Sequence, residues 1–277
     1  MVGLPEGIRT TVVNSDTQLT QTPTRLNDSR SQRVVWLLEE LGLDYEIAIF
    51  HRDKTTMFAP PELEKVHPLG KAPAVGITFP GRGKETILVE SGFIAQYLCE
   101  HFSTGSTLVP PRYPSGEQQG KQQGGESEAW MRYQHLMHYV EGSLMPPLLV
   151  ALILTVMKGP RIPLILRPIV SFVADKLYAA FVKPNVTKHM AFLEGLLASA
   201  PGGGPYLCGE HLTAADIFVS FPLEIAPERI KGLKGRKANL FSEYPGVTAY
   251  IERLWGAEGY KRAREKPEKL ENGLRSV

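Results

Sequence analysis

The sequence predicts an α/β domain in the order β-α-β-β-α, followed by an all-α domain. Three observations lead to this prediction. A helical apolar pattern lies between two short strand patterns in residues 21–50, and a β-hairpin surrounds the Pro-Gly-Arg-Gly turn at residues 80–83. Beyond residue 126, almost every apolar pattern has helical spacing. A length of 277 residues is typical of about two domains.

The first three predicted elements form a β-α-β unit. A weak strand covers residues 21–26, and another strand covers residues 45–50. Between them, apolar residues recur at the spacing of one helix face, and Gly42 follows as a residue type that commonly ends a helix. The apolar residues of this face are Val34, Leu37, Leu38 and Leu41.

The hairpin and the helix after it complete the first domain. Pro73 precedes a strand at residues 74–77, and residues 86–89 form the returning strand. Ser91 is predicted as the N-cap of an amphipathic helix with Phe93, Ile94, Tyr97 and Leu98 as its apolar residues. The free N–H groups and positive dipole end of this helix, beside Glu90, can hold the carboxylate of a small ligand.

Composition shifts divide the chain into segments. Residues 1–20 are expected to form a flexible extension, 21–102 the first domain, 103–125 a Gly- and Gln-rich linker, 126–265 the helical domain and 266–277 a tail. The helical patterns of the second domain cover residues 126–143, pieces between 148 and 181, 184–199, 213–227 and 245–256.

Charge and cysteine content exclude several classes of protein. The chain has 31 Lys and Arg against 29 Asp and Glu, so no strong field would attract nucleic acid. The N-terminus lacks the pattern of a signal peptide, which favours a cytoplasmic protein. Cys99 and Cys208 are isolated in apolar segments, so buried packing in a reducing compartment is expected rather than a disulfide. No metal site is predicted.

The most apolar region, residues 144–174, could be mistaken for a membrane anchor. A spanning helix needs about 20 consecutive apolar residues, whereas five prolines and several charged residues interrupt this region. Buried helices are therefore expected, and peripheral membrane contact is the alternative.

Four sequence motifs in order resemble those of the soluble glutathione transferases. They are DSRSQRVVWLLEELGLDYE, HPLGKAPAV, VESGFIAQYL and, similar to the fungal GTT-type branch, EGSLMPPLL. The resemblance covers roughly residues 25–260. It implies a thioredoxin-like first domain, a helical second domain, glutathione as co-substrate and a homodimer. Because the GTT-type branch includes members associated with the endoplasmic reticulum, that location is the alternative to the cytoplasm.

The family's chemistry implies activation of the glutathione thiol. A free thiol has a pKa near ~8.5, and a hydroxyl hydrogen bond at a helix N-terminus favours the thiolate. The resemblance places this hydroxyl at Ser29, with Ser31 and Asn27 as alternatives, although a serine here can also simply cap the helix. Residues 29–32 contain no cysteine, so thiol–disulfide exchange is rejected as the main reaction.

The resemblance also implies how the peptide binds. Glu90 and Ser91 would hold the γ-glutamyl ammonium and carboxylate. Ala72 would pair its backbone with the cysteinyl unit, which requires a cis peptide before Pro73. Lys71 would neutralise the glycyl carboxylate, unless it is only an exposed turn residue.

Two further sets of residues are less directly marked. Arg52 and Lys54 are possible helpers of Lys71. The resemblance implies an apolar or aromatic electrophile near the first helix of the second domain, unless the same residues are core. These residues are Tyr133, His138, Tyr139 and Met145.

A capping box is predicted at the start of a later helix, where Asp216 follows Thr213 by three residues. Its expected role is structural.

The function predicted is transfer of glutathione to hydrophobic electrophiles. The first alternative is a glutathione-dependent isomerase or tailoring enzyme of a fungal biosynthetic pathway, in which glutathione is recycled. The second is a binding or regulatory protein that keeps the fold without turnover.

Overall fold

The computed structural model describes residues 20–26, 29–53, 58–79, 85–114, 124–159, 162–234 and 240–275. The first elements are β1 (Thr20–Leu26), α1 (Ser31–Glu40), β2 (Ala48–Phe50), α2 (Glu62–Val66), β3 (Ala74–Thr78), β4 (Thr86–Val89) and α3 (Ser91–Phe102). Then follow α4 (Glu128–Tyr139), α5 (Met145–Met157), α6 (Arg167–Leu177), α7 (Lys183–Ala198), α8 (Ala214–Lys234), α9 (Pro245–Gly256) and α10 (Glu258–Arg275). The chain divides into two compact units: Met1–Ser106 with Trp255–Val277, and Thr107–Leu254.

The first unit contains a four-stranded sheet in the order β2-β1-β3-β4. β1 runs parallel to β2, and β3 is antiparallel to both β1 and β4. Val34, Leu37 and Leu38 of the predicted apolar face are buried in α1, whereas Leu41, just beyond the helix, is half-buried. The predicted β-α-β-β-α order and the thioredoxin-like layout are therefore confirmed, with the short helix α2 as an added element between β2 and β3.

Pro23 lies within β1, which has a neighbour on each side. β1 pairs with β3 through residues 20–23 and with β2 only from Thr24 onward. A proline has no N–H to donate, so it is best tolerated where one ladder ends and the other has not begun.

The last helix, α10, belongs to the first unit and packs on α1. Trp36 and Tyr260 stack edge to face at 5.1 Å, and Arg262 Nε donates to Glu39 Oε2 at 2.8 Å. Burial raises the pKa of Glu39, but hydrogen bonds from Tyr45 and Arg262 outweigh it and lower that pKa overall.

No helix was predicted for this region, which was expected to close the helical domain and continue as a tail from residue 266. The structure instead continues α10 to Arg275. Among residues 258–270, whose burial the structure describes, few are buried, namely Gly259, Tyr260, Ala263 and Pro267. Because so few apolar residues recur at helical spacing, the sequence gives a weak periodic signal for α10. Contacts with α1, which is distant in sequence, provide much of the stabilisation of this helix.

In the part of the second unit that the structure describes, every named element is a helix, so the predicted helical character is confirmed. The helix predicted to end at residue 143 instead continues through a π-helical turn, Val140–Leu144, into α5. Pro146 and Pro147 directly follow this π-helical turn, and because proline has no N–H, neither can donate the backbone hydrogen bond that would continue the helix from the preceding turn.

The prediction that the apolar region would be buried is wrong for its outer faces. Leu148, Ala151 and Leu154 of α5 are buried, but many other apolar side chains of α5 and α6 are exposed. Within the described residues, one continuous helical stretch, Glu128–Met157, is long and apolar enough to cross a membrane, a test that core helices of soluble proteins also pass.

The predicted capping box is confirmed. The Asp216 carboxylate accepts the Thr213 N–H at 2.8 Å, as the reciprocal half of a capping box requires. It also accepts the Tyr250 hydroxyl at 2.8 Å and the Leu207 N–H at 3.1 Å. Burial raises the pKa of Asp216, and these donors offset part of that effect.

Candidate glutathione site

The sheet topology brings the predicted site segments to one end of the sheet. The register pairs Leu26 with Phe50, so β1 and β2 both end there. The pairing of Ala74 with Val89 means that β3 begins and β4 ends at the same edge. Four connecting segments therefore lie at a common end of the sheet. Ser29 follows β1, Arg52 follows β2, Ala72 precedes β3 and Ser91 follows β4.

The loop before β3 presents a free backbone edge. The Ala72–Pro73 peptide is cis, so this expectation is confirmed. Gly70 has φ +56°, and its N–H donates to the His67 carbonyl at 2.9 Å, which closes the turn. Among the described residues, neither the N–H nor the C=O of Ala72 has a hydrogen-bond partner. An extended peptide could pair with this residue as an added strand.

The start of α3 offers a second set of unpaired polar groups. The structure corrects the predicted cap by one residue: Glu90 occupies the N-cap position without a side-chain cap, and Ser91 is the first helical residue. In the part of the chain that is described, the N–H groups of Ser91, Gly92 and Phe93 have no acceptor. A helix N-terminus with free N–H groups and a positive dipole end favours an anionic ligand group.

Glu90 has an unusual backbone conformation. Its φ of +66° lies in the left-handed region that non-glycine residues rarely adopt. Strain of this kind costs about 1–3 kcal/mol and is concentrated at ligand sites. Glu90 is exposed and Ser91 is 5% exposed, so the two side chains occupy different environments at the same helix end.

Ser29 lies just before α1, and its hydroxyl contacts Ser31. Ser29 Oγ donates to Ser31 Oγ at 2.9 Å and accepts the Ser31 N–H at 3.3 Å. The N-cap position itself is Arg30, whose side chain makes no cap hydrogen bond. Ser31 is only 1% exposed, whereas Ser29 is half-buried. Of these two serines, only Ser29 has appreciable surface for a ligand.

The remaining predicted glutathione contacts differ in what the structure describes. Lys71 is exposed and forms no ion pair with any described residue, and Arg52 is half-buried. Asn27 and Lys54 lie outside the described residues. Sequence reasoning missed Gln32 in the first turn of α1, whose Nε2 is buried and lacks a hydrogen-bond partner within the described chain. No sequence signal distinguishes it from an ordinary surface glutamine.

The residues predicted to line the electrophile pocket are mostly interior. Tyr133, Tyr139 and Met145 are buried, and His138 is exposed. The Tyr139 hydroxyl lies 2.8 Å from His189 Nδ1, and burial raises the pKa of Tyr139. Burial of three of these four side chains favours the interpretation that they are core residues.

Both cysteines are buried and free, as expected from the sequence. Burial raises the pKa of the Cys208 thiol to about 12, so it is protonated at neutral pH. No group of three or more His, Cys, Asp or Glu that could bind a metal occurs among the residues that the structure describes.

Comparisons with known proteins agree with this geometry. Family models described as "Glutathione S-transferase, N-terminal domain" and "Glutathione S-transferase, C-terminal domain" match residues 29–101 and 167–262. The chain is 34% identical over 245 residues to Glutathione S-transferase 1 of Saccharomyces cerevisiae, which covers 88% of this chain and 94% of the yeast protein.

Solved structures are similar as well. A glutathione S-transferase from Actinobacillus pleuropneumoniae matches with a TM-score of 0.57 and 28% identity, covering 90% of this chain and 92% of that one. A glutathione transferase from Phanerochaete chrysosporium, crystallised with oxidized glutathione, matches with a TM-score of 0.63 and 18% identity over 94% and 99% of the two chains. The family models and the yeast relative together establish that the chain belongs to the glutathione S-transferase family.

Proposed function

We propose that the protein binds glutathione as co-substrate and activates its thiol for attack on hydrophobic electrophilic small molecules. The observation that carries this proposal is the common position of the Ser29, Ala72 and Ser91 segments at one end of the sheet. The thiol releases its proton to solvent and the sulfur forms a bond to an electrophilic carbon. The electron pair of the bond that breaks at this carbon moves to a leaving group, or to an acceptor atom that then takes up a proton from solvent.

The peptide backbone of glutathione suits this end of the sheet. The cysteinyl unit would pair with the free N–H and C=O of Ala72. The γ-glutamyl carboxylate would accept from the Ser91 hydroxyl and from the N–H groups at the start of α3, while the Glu90 carboxylate would face the ammonium group. Lys71 would neutralise the glycyl carboxylate, with Arg52 and Lys54 as further candidates.

The thiol would meet the Ser29 hydroxyl. Ser29 precedes α1, so the positive end of that helix dipole would stabilise the thiolate together with the hydroxyl hydrogen bond. To donate to the sulfur, the hydroxyl must turn away from Ser31 Oγ. This requires only rotation about the Cβ–Oγ bond.

A second candidate function is glutathione binding without turnover. The observation that favours it is the pair of hydrogen bonds between the Ser29 hydroxyl and Ser31, which a serine that only orders the start of α1 would also form.

The electrophile class in the main proposal rests on family membership. It does not rest on the predicted pocket residues, because Tyr133, Tyr139 and Met145 are buried. The proposal of a glutathione transferase also includes a homodimer and a cytoplasmic location. Association with the endoplasmic reticulum is the alternative location.

Calorimetric titration of glutathione into wild type and Ser91→Ala tests the binding half of the proposal. A hydrogen bond to a charged group contributes about 1.5–3 kcal/mol, so the variant is expected to bind at least about tenfold more weakly. Ser103→Ala, at the opposite end of α3, is the matched control and should bind as wild type does. Equal affinity of all three proteins would remove Ser91 from the site, and no binding by wild type would refute the proposal.

A further inference from the structure

The last helix of the chain, α10, packs on α1, the helix that follows Ser29. Tyr260 meets Trp36 edge to face, with ring centres 5.1 Å apart, and the Trp36 side chain is fully buried. Gly259 allows this close approach, because a Cβ at its position would overlap the Glu40 carboxylate and lie 3.2 Å from Trp36 Nε1. Among the described elements, α1 contacts α10 more extensively than it contacts β1 or α3. α10 is therefore the main element that holds α1 in place.

Charged side chains extend this contact to the end of α1. Arg262 Nε donates to Glu39 Oε2 at 2.8 Å, and Lys266 Nζ lies 3.8 Å from the other oxygen of the same carboxylate. Lys266 Nζ also lies 3.6 Å from the centre of the Tyr45 ring, beyond the end of α1. Solvent screens these pairs because Arg262 and Lys266 are partly exposed. The buried contact between Trp36 and Tyr260 is therefore the stronger part of the interface.

Of the three segments expected to bind glutathione, only one is attached to α1. Ser29 lies just before α1, whereas Ala72 precedes β3 and Ser91 begins α3. Among the described elements, α10 contacts β3, β4 and α3 at most marginally. Loosening α10 would therefore free Ser29 to move relative to the segments that would hold the peptide backbone of glutathione.

The distance between Trp36 and Ser29 makes the serine hydroxyl sensitive to this packing. Seven residues separate them, which corresponds to about 10 Å along a helix. A tilt of α1 by about 6° around Trp36 would move Ser29 by about 1 Å. A hydrogen bond that is lengthened by about 1 Å is effectively lost.

We propose that α10 is a positioning helix for thiol activation, in which Tyr260 and Arg262 are positioning residues that act on Ser29 through α1. This inference deepens the proposed function and rests on it, because it concerns the same hydroxyl. Peptide binding and thiol activation then depend on different packing contacts. Ala72 and Ser91 can bind the peptide without α10, whereas Ser29 reaches the sulfur only while α10 holds α1.

Glutathione and its S-methyl derivative, which has no thiol proton, separate the two effects. In Tyr260→Ala the bound glutathione thiol is expected to have a pKa at least about half a unit higher than in wild type, because the Ser29 hydrogen bond is lost. Calorimetric affinity for S-methylglutathione should stay within about threefold, since the contacts at Ala72 and Ser91 remain. Tyr260→Phe retains the ring and should behave as wild type does. Glu268→Ala changes an exposed residue of the same helix and is the matched control.

Arg262→Glu is a second variant that leaves the buried aromatic contact in place. It puts a carboxylate beside Glu39, and the repulsion should raise the thiol pKa in the same direction by a smaller amount. Arg262→Lys retains the positive charge and should return the thiol pKa toward the wild-type value. Far-ultraviolet circular dichroism and the thermal midpoint establish that each variant is folded.

Amide hydrogen exchange reports the packing of α1 without any thiol chemistry. In Tyr260→Ala the amides of residues 34–40 should exchange faster than in wild type, because α1 has lost its main packing partner. The amides of residues 74–77, in β3, should exchange at the wild-type rate.

Three results would overturn the proposal. Wild-type exchange in α1 of the Tyr260→Ala protein would show that α10 does not hold this helix. Faster exchange in α1 with a wild-type thiol pKa would show that the contact has only a structural role. Affinity for S-methylglutathione that falls as strongly as thiol activation would show that the whole site depends on α10. An unshifted thiol pKa in wild type would instead refute the proposed function, and this inference with it.

Discussion

Removing the Asp216 carboxylate is expected to destabilise the second unit severely. The side chain is fully buried and accepts four hydrogen bonds. Two donors are backbone N–H groups, of Thr213 and Leu207, and two are the hydroxyls of Thr213 and Tyr250. Asp216→Ala leaves both N–H groups buried without an acceptor, and these groups cannot rotate toward another one.

The magnitude follows from the number of donors that are left. An unsatisfied buried donor costs about 1–3 kcal/mol, and the two hydroxyls can partly recover by rotation. Loss of the buried carboxylate itself offsets part of this cost. The expected decrease in the free energy of unfolding is about 3–5 kcal/mol, which is a large fraction of the roughly 5–15 kcal/mol that stabilises a typical domain.

Urea unfolding followed by circular dichroism measures this change. Asp216→Asn is expected to be nearly as destabilised as the alanine variant, because its amide NH2 would face two of the four donors. Asp44→Ala, at an exposed aspartate of the first unit, is the control and should change stability by less than about 0.5 kcal/mol. An Asp216→Ala protein whose stability matches that control would refute the capping role.

The contact between α10 and α1 gives two further predictions. The lowered pKa of Glu39 means that its stabilising contribution is present above the ordinary value of 4.5 and is lost as pH falls through the folded-state pKa. The stability of wild type should therefore fall more steeply than that of Glu39→Gln on acidification below about pH 5, measured by urea unfolding at each pH; parallel curves would exclude this contribution. Gly259→Ala should loosen α10, because the added Cβ would displace the Glu40 carboxylate, whose Oε1 accepts a hydrogen bond from Trp36 Nε1 at 2.8 Å. Limited proteolysis should then cleave α10 faster in this variant than in the control Gly256→Ala, whose Cβ would meet nothing within 4 Å, and equal rates would contradict the predicted displacement.

Much of the fold could be predicted because its signals are local. The apolar face of α1, the hairpin strands and the Thr213–Asp216 spacing each depend on residues close in sequence. The cis peptide at Pro73 and the grouping of Ser29, Ala72 and Ser91 depended on the family resemblance, since no local rule places these segments together.

Other features could not be predicted because they depend on long-range contacts. The packing of α10 on α1 uses Trp36 with Tyr260 and Glu39 with Arg262, which are more than 200 positions apart. Exposure of the outer faces of α5 and α6 was also missed. Their high apolar content is typical of buried helices, and only the packing of neighbouring elements shows which face remains uncovered.

Thiolate absorbance of glutathione bound to the protein, titrated with pH, tests thiol activation by Ser29 most directly. The proposal predicts that the bound thiol has a pKa at least about one unit below the free value of ~8.5 in wild type. This pKa should rise toward the free value in Ser29→Ala and stay low in the hydroxyl-retaining control Ser29→Thr. A thiol that binds with an unshifted pKa in wild type, or one whose lowered pKa is unchanged in Ser29→Ala, would contradict activation by this hydroxyl.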